Sequence, residues 1–281
     1  MPRWNALGCL LATLIGGGCD RVFGLTQSGE VTGDALPVVD GGGPVIDVVG
    51  LGAYDSAVLA DNPLSYWKLD ETSGTVAQNE VATGPAGTYV GDIALGEDGT
   101  IDSQPNTSVA LGPNGGPSGI DFGDNFAFEG NQAFSVEMWF RNDLAPSPDP
   151  VTLLSKQEEA NEYIGWDVFT QSNAAVVRRL PPTAETGVGT VFILTDEMGW
   201  KHVVAVYDGS KLTIYVNGGA GLEGNSPAMI PSPLSPTHLL AGTNSPAGTS
   251  RALRGRIDNI AIYDHALSAT RIAKHYASSA L

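Results

Sequence analysis

Trp200-Lys201-His202-Val203-Val204-Ala205-Val206-Tyr207-Asp208-Gly209-Ser210-Lys211-Leu212-Thr213-Ile214-Tyr215-Val216-Asn217-Gly218 is the stretch from which the fold is read. Two runs rich in β-branched and aromatic residues flank Asp208-Gly209, a dipeptide suited to tight reversal, so the stretch predicts a β-hairpin. Asn217-Gly218 marks a further turn at its end. Upstream, Phe134-Ser135-Val136-Glu137-Met138-Trp139-Phe140-Arg141 alternates with the period of a half-buried strand. Phe134, Val136, Met138 and Phe140 share one side; Ser135, Glu137 and Arg141 share the other. Trp139 falls with the polar set, so that side is not purely solvent.

Further out, the same reading predicts strands over Ser65–Asp70, Thr88–Leu95, Ser108–Leu111, Ile120–Phe122, Val151–Lys156, Ile164–Thr170, Ala175–Leu180, Val191–Thr195, His238–Ala241 and Gly255–Tyr263. One helix is expected near the end, with Ser268 as N-cap and Leu267 and Ile272 as a hydrophobic staple. Ile272 and Tyr276, at i and i+4, would dock it. Gly 36 and Pro 18 among 281 residues fit many short strands joined by turns, and 42% hydrophobic residues exclude a wholly disordered chain. Together these features predict an all-β, two-sheet antiparallel sandwich with one short C-terminal helix.

The order of the pieces carries a resemblance. The chain reads Tyr66-Trp67-Lys68-Leu69-Asp70-Glu71-Thr72-Ser73-Gly74, then Gly119-Ile120-Asp121-Phe122-Gly123, then the Phe134 strand and the Trp200 hairpin. It closes with Gly255-Arg256-Ile257-Asp258-Asn259-Ile260-Ala261-Ile262-Tyr263 and Ala266-Leu267-Ser268. Over residues 60–277 this succession resembles the bacterial laminin-G/pentraxin-like domain of the concanavalin A-like lectin/glucanase superfamily. The resemblance implies a jelly-roll sandwich, but not a single function, because lectins, adhesion modules, structural caps and glycosidases share the fold.

The N-terminus reads as an address. Arg3 is the only charged residue before Asp20, and the apolar run Ala6–Ile15 is too short to span a bilayer core of ~30 Å. It ends in Gly16-Gly17-Gly18-Cys19, which resembles the bacterial lipobox. That resemblance implies a signal peptide over 1–18, cleavage before Cys19 and lipid attachment on Cys19. Two or three acyl chains anchor stably where one does not. The alternatives are an ordinary secretory signal cut after Gly18 and a short membrane-associated helix. A Gly/Pro-rich tether is expected over 19–55, with Val45–Val49 as an alternative extra strand, and the sandwich over 56–281. The localisation that follows is the bacterial cell envelope, periplasmic or cell-surface.

Charge and cysteine content exclude several functions. With 31 Asp+Glu against 14 Lys+Arg the net charge is −17, which repels nucleic acid. Cys9 and Cys19 are the only cysteines, so the folded part has neither a disulfide framework nor a CxxC zinc site. The histidines His202, His238, His265 and His275 fall in no HExxH or His-x-His pattern, and there is no GxSxG elbow or Walker loop.

Two kinds of site remain as candidates. The resemblance implies a structural Ca²⁺ between the first and last strands, with Asp258 as first ligand and Asp70 and Asn79 from the opening segment. Asp258 is expected on the face of Ile260 and Ile262, where a carboxylate needs a partner. The alternative is a salt bridge or a hydrogen bond to backbone, for example with Arg256 or Lys68. For ligand binding, Trp166 and Trp139 offer ring faces that suit a pyranose, with core packing as the alternative role. The Glu-x-Asp-x-x-Glu run of laminarinase-type relatives is absent, so hydrolysis is not expected. The sequence therefore predicts a non-catalytic envelope lipoprotein that binds a glycan or an extracellular protein. The alternatives are a purely structural envelope module and a glycoside hydrolase-like enzyme.

Overall fold

The computed structural model describes residues 52–101, 106–158, 164–180, 188–194, 199–224 and 237–279. The signal peptide, Cys19, the Val45–Val49 run and most of the expected tether lie outside the described residues.

Among the described residues, two antiparallel eight-stranded sheets face each other as a jelly-roll sandwich. The first runs β14 (Leu222–Glu223), β13 (Leu212–Val216), β12 (Lys201–Tyr207), β7 (Phe134–Asn142), β16 (Gly255–Tyr263), β5 (Thr107–Leu111) and β4 (Ile93–Asp98), with β1 (Ser65–Trp67) also paired to β16. The second runs β11 (Val188–Ile193), β10 (Ala174–Leu180), β9 (Ile164–Gln171), β8 (Val151–Glu158), β15 (Leu240–Ala241), β6 (Ser118–Asp121), β3 (Gly87–Gly91) and β2 (Val76–Ala77).

The predicted hairpin forms as β12 and β13, in register from Val203↔Val216 to Tyr207↔Leu212. Its turn is built by Asp208, whose Oδ1 accepts the N–H of Ser210 (2.8 Å) and of Lys211 (2.7 Å), while Gly209 takes φ +95°. The alternation of β7 also holds. Phe134, Val136, Met138 and Phe140 enter the core between the sheets, and Trp139 packs into a second cluster with Tyr54, Tyr66, Val204 and Ile272.

That second cluster is the underside of two helices on the outer face of the first sheet. The expected C-terminal helix is α2, Ala269–Ser278, and the Ser268 side chain accepts from Arg271 N at its start. Ile272 is fully buried, worth ~1.5–3 kcal/mol by transfer. The second helix, α1 (Ala53–Leu59), was not read from the sequence, which assigned residues up to 55 to the tether. Gly52 caps it with no side-chain hydrogen bond, so no N-cap signal marks it, yet Tyr54, Asp55 and Val58 are buried. Among the described residues no helix is long and apolar enough to cross a membrane.

Two further corrections concern strands. The expected strand Thr88–Leu95 is two strands in different sheets, β3 and β4. Gly91 turns the corner at φ +81°, where a Cβ would stand 2.1 Å from Pro117 O. In β16 the register against β7 shifts between Asp258 and Ala261, and Asn259 sits at φ +51°. The bulge lets Ile257 and Ile260 both enter the core. Asp258, paired with Trp139, therefore faces the outer side rather than sharing the face of Ile260 and Ile262.

Candidate functional site

Trp166 and Trp139 are both fully buried, so neither presents a ring to a ligand in this structure. Trp166 packs between the sheets against Phe128 and Phe134, and its Nε1 donates to Phe126 O at 2.9 Å. Trp139 lies under α1 and α2, with Tyr276 stacked at 5.8 Å. For both, the packing role is the one the structure realises.

The three metal candidates are engaged as follows. Asn79 organises a turn: its Oδ1 accepts Tyr66 N (3.1 Å) and Val81 N (2.9 Å), and its Nδ2 donates to Pro85 O (2.8 Å). Asp70 Oδ1 accepts Thr107 N at 2.7 Å, and its Oδ2 lies 3.1 Å from Lys68 Nζ. Asp258 Oδ1 accepts Asn259 Nδ2 (2.7 Å), and its Oδ2 accepts Thr100 N (3.1 Å). Burial pushes the Asp258 carboxyl well above the usual carboxylate range, and Asp70 and Asp55 add to the shift. A calcium ion takes six to eight oxygens at 2.3–2.6 Å. Here the carboxylate oxygens are already occupied by hydrogen-bond donors or the Lys68 ammonium, so the set does not fit that ion. Among the described residues, no group of three or more His, Cys, Asp or Glu is placed to hold a metal.

One buried polar network belongs to the scaffold. Glu137, fully buried on β7, accepts from Tyr54 (2.9 Å, α1) and Tyr263 (2.9 Å, β16) and bonds His202 (2.7 Å, β12) and His275 (2.9 Å, α2). The other His275 nitrogen lies 2.9 Å from Asp61, which also pairs with Arg271. Burial pushes the Glu137 carboxyl up, but His275 and His202 outweigh it and hold it far below the usual range. Burial likewise pulls His275 down, and Glu137 and Asp61 reverse that, so its imidazole titrates above the ordinary histidine value. The network fixes both helices to the sheet.

Among the described residues, a cavity with room for a ligand lies on the first sheet, where β4, β5, β16 and the residues after β7 meet. It is a cleft of 480 Å³, with Glu97, Gly112, Asp143, Leu144, Arg254 and Arg256 in its lining. A smaller hollow of 60 Å³ adjoins it and shares Leu144 and Arg254. Local sequence explains its walls. Gly112 (φ +62°) and Gly115 (φ +87°) turn the chain so closely past Arg254 that a Cβ on Gly112 would stand 2.6 Å from its Nη1. Arg254 then donates to Gly112 O (3.0 Å) and Gly115 O (2.5 Å). Asp92 braces the same turn by accepting from Asn114 and Gly116, and those bonds hold its carboxyl below the usual range.

The cleft is charge-balanced. Glu97 pairs with Arg256 at 2.8 Å, and Asp143 pairs with Arg141 at 2.8 Å. Arg141 lies 5.8 Å from the ring of half-buried Trp200, the described tryptophan that is not fully covered. Leu144 is 60% exposed and gives the wall its apolar surface. Apart from Arg256, weighed as a partner for Asp258, none of these residues is marked by the sequence as part of a site. The signal that marks the cleft is Gly112-Pro113-Asn114-Gly115-Gly116, a turn whose contact with Arg254 joins segments far apart in the chain.

Comparison with known proteins follows the fold. The family model described as Concanavalin A-like lectin/glucanases superfamily matches residues 114–273. Among solved structures, domain 4 of the extracellular GH43 arabinanase AbnA from Geobacillus stearothermophilus, in complex with arabinotriose, is similar at 16% identity and TM-score 0.55, over 76% of this chain and 97% of that one. The receptor binding domain of botulinum neurotoxin mosaic serotype C/D is similar at 14% identity and TM-score 0.57, over 77% of this chain. The binding domain of botulinum neurotoxin DC in complex with SialylT is similar at 12% identity and TM-score 0.56, over 78% of this chain. The match spans about half of each toxin domain, 51% and 52%. At these identities the likeness is one of fold. No curated protein matches the sequence.

Proposed function

We propose that this chain, which belongs to the Concanavalin A-like lectin/glucanases superfamily, is a non-catalytic binding module whose ligand is a neutral saccharide held in the Arg254 cleft. The charge-balanced cleft carries the reading. Guanidinium and carboxylate groups in fixed pairs offer planar donors and acceptors to vicinal hydroxyls, while Leu144 meets the apolar face of a ring. A net charge of −17 disfavours an acidic ligand. The arabinotriose complex of the arabinanase domain and the SialylT complex of the toxin domain support a saccharide, since both sandwiches share this fold.

Binding without turnover follows from the same pairs. Glycoside hydrolysis needs one carboxyl that gives a proton and one carboxylate that attacks or activates water. In the cleft Glu97 and Asp143 are each committed to a guanidinium. The N-terminal sequence supports an address in the bacterial envelope, with Cys19 as the lipid attachment point and the following glycine- and proline-rich residues as a spacer. Labelling with a fatty acid that disappears in Cys19→Ser tests that address; labelling that persists overturns it.

Calorimetric titration of the full chain with neutral oligosaccharides, arabinotriose among them, tests the function. Saturable binding is expected. Arg254→Met removes the guanidinium that lines the cleft and ties the Gly112–Gly115 turn, and weakens binding tenfold or more. Leu144→Ser, at an exposed side chain that braces nothing, weakens it without lowering the melting temperature. Absence of binding across neutral oligosaccharides, or variants that bind like the parent, overturns the reading.

A further inference from the structure

Two carboxylates meet at one ammonium beside the first sheet, Asp55 of α1 and Asp70 after β1, and a hydrogen-bond chain through Tyr66 and Asn259 links them to Asp258 at the bulge of β16. Asp55 is 5% exposed and Asp258 is fully buried. Asp55 and Asp70 are like charges, the first buried and the second half-buried, and such a pair is stabilised by a counter-charge between them.

The counter-charge comes from the strand that carries Trp67. Lys68 Nζ lies 3.1 Å from Asp55 Oδ2 and 3.1 Å from Asp70 Oδ2. The remaining oxygens are tied in around it. Asp55 Oδ1 accepts from Tyr66 Oη at 2.6 Å, and Tyr66 Oη lies 2.5 Å from Asn259 Oδ1. Asn259 Nδ2 donates to Asp258 at 2.7 Å. Burial works against the Lys68 charge, but Asp55 and Asp70 outweigh it and hold the ammonium above the ordinary lysine value.

We propose that Lys68 is a built-in cation that stands where a divalent ion would otherwise neutralise this cluster, and that it makes the domain independent of calcium. An ammonium donates three hydrogen bonds and carries one charge. With Lys68 in place, a dication would meet both a repelling charge and oxygens already engaged. With Lys68 made neutral, Asp55 and Asp70 are left unpaired, and a hard dication bridging these two carboxylates is the counter-charge that can replace the ammonium.

The melting temperature of the full chain, read with EDTA, with millimolar CaCl₂ and with NaCl at matched ionic strength, tests this. The native chain is expected to melt alike in all three. Lys68→Met is expected to melt lower in EDTA and to recover in CaCl₂ but not in NaCl, while Lys68→Arg stays indifferent to calcium. A native chain stabilised by calcium overturns the proposal, and so does a Lys68→Met variant that loses no stability or ignores calcium. If Lys68→Met does not fold without metal, refolding in CaCl₂ supports the proposal. If it refolds in neither condition, Lys68→Met/Asp55→Asn, which removes one opposing charge with the ammonium, must fold in EDTA; failure there overturns the counter-charge role.

Discussion

Glu137 ties four elements to one carboxylate, so a single substitution tests how much the network stabilises. Glu137→Gln leaves the His275 imidazolium without its buried counter-charge, with Asp61 still 2.9 Å from the other nitrogen, and a loss of ~3–5 kcal/mol is expected in urea denaturation, as when one partner of a buried pair is removed. The pH dependence follows from His275. Its folded value is raised, so its contribution is complete below the ordinary value of about 6.5 and is lost as pH rises through the folded value. The native chain should therefore lose stability as pH rises above about 6.5, and His275→Gln should flatten that limb. A native profile parallel to that of His275→Gln contradicts the assignment. Legibility at this scale was uneven. The alternation of β7 placed Glu137 beside Trp139 on one face, but nothing local says that two helices will roof that face. The tryptophans read as ligand platforms became packing residues for the same reason.

Elements were legible where local chemistry decides them and obscure where backbone geometry does. The β12–β13 hairpin follows from Asp208-Gly209, and α2 follows from Ser268 and Ile272. The Thr88–Leu95 run reads as one strand because apolar residues stand on both sides of Gly91-Asp92, and that dipeptide does not by itself say that the chain changes sheet. The corner is made by Gly91 alone, through a positive φ and a close approach to Pro117 O. Gly91→Ala meets both strain and a backbone clash, so a loss well above the ~1 kcal/mol of a tolerated glycine replacement is expected in thermal melts. A melt within a degree of the parent would show that another residue turns this corner. The bulge at Asn259 escaped reading likewise: nothing in Asp258-Asn259-Ile260 announces an extra residue, yet that residue turns Asp258 away from the core.

At the scale of the molecule, α1 joins the start of the folded region to its end. It brings Tyr54 to Glu137 and Asp55 to Lys68. A chain beginning at residue 48 should melt with the full protein, whereas one beginning at residue 63 should lose several kcal/mol, because it strips the cover from Trp139 and unpairs both networks. Equal melting of the two would assign α1 a dispensable role. The sandwich was legible in advance because period-two alternation recurs along the chain. The cleft was not, because its walls come from Glu97, the Gly112 turn, Leu144 and Arg254, which only the completed sheet order brings together. The proposed function requires that a ligand bind in that cleft. Its most direct test is amide chemical-shift mapping of the full chain titrated with a neutral oligosaccharide. Saturable shifts confined to residues 110–116, 141–144 and 254–256 are predicted. Saturable shifts centred elsewhere on the sandwich, or no shifts with any neutral saccharide, would contradict it.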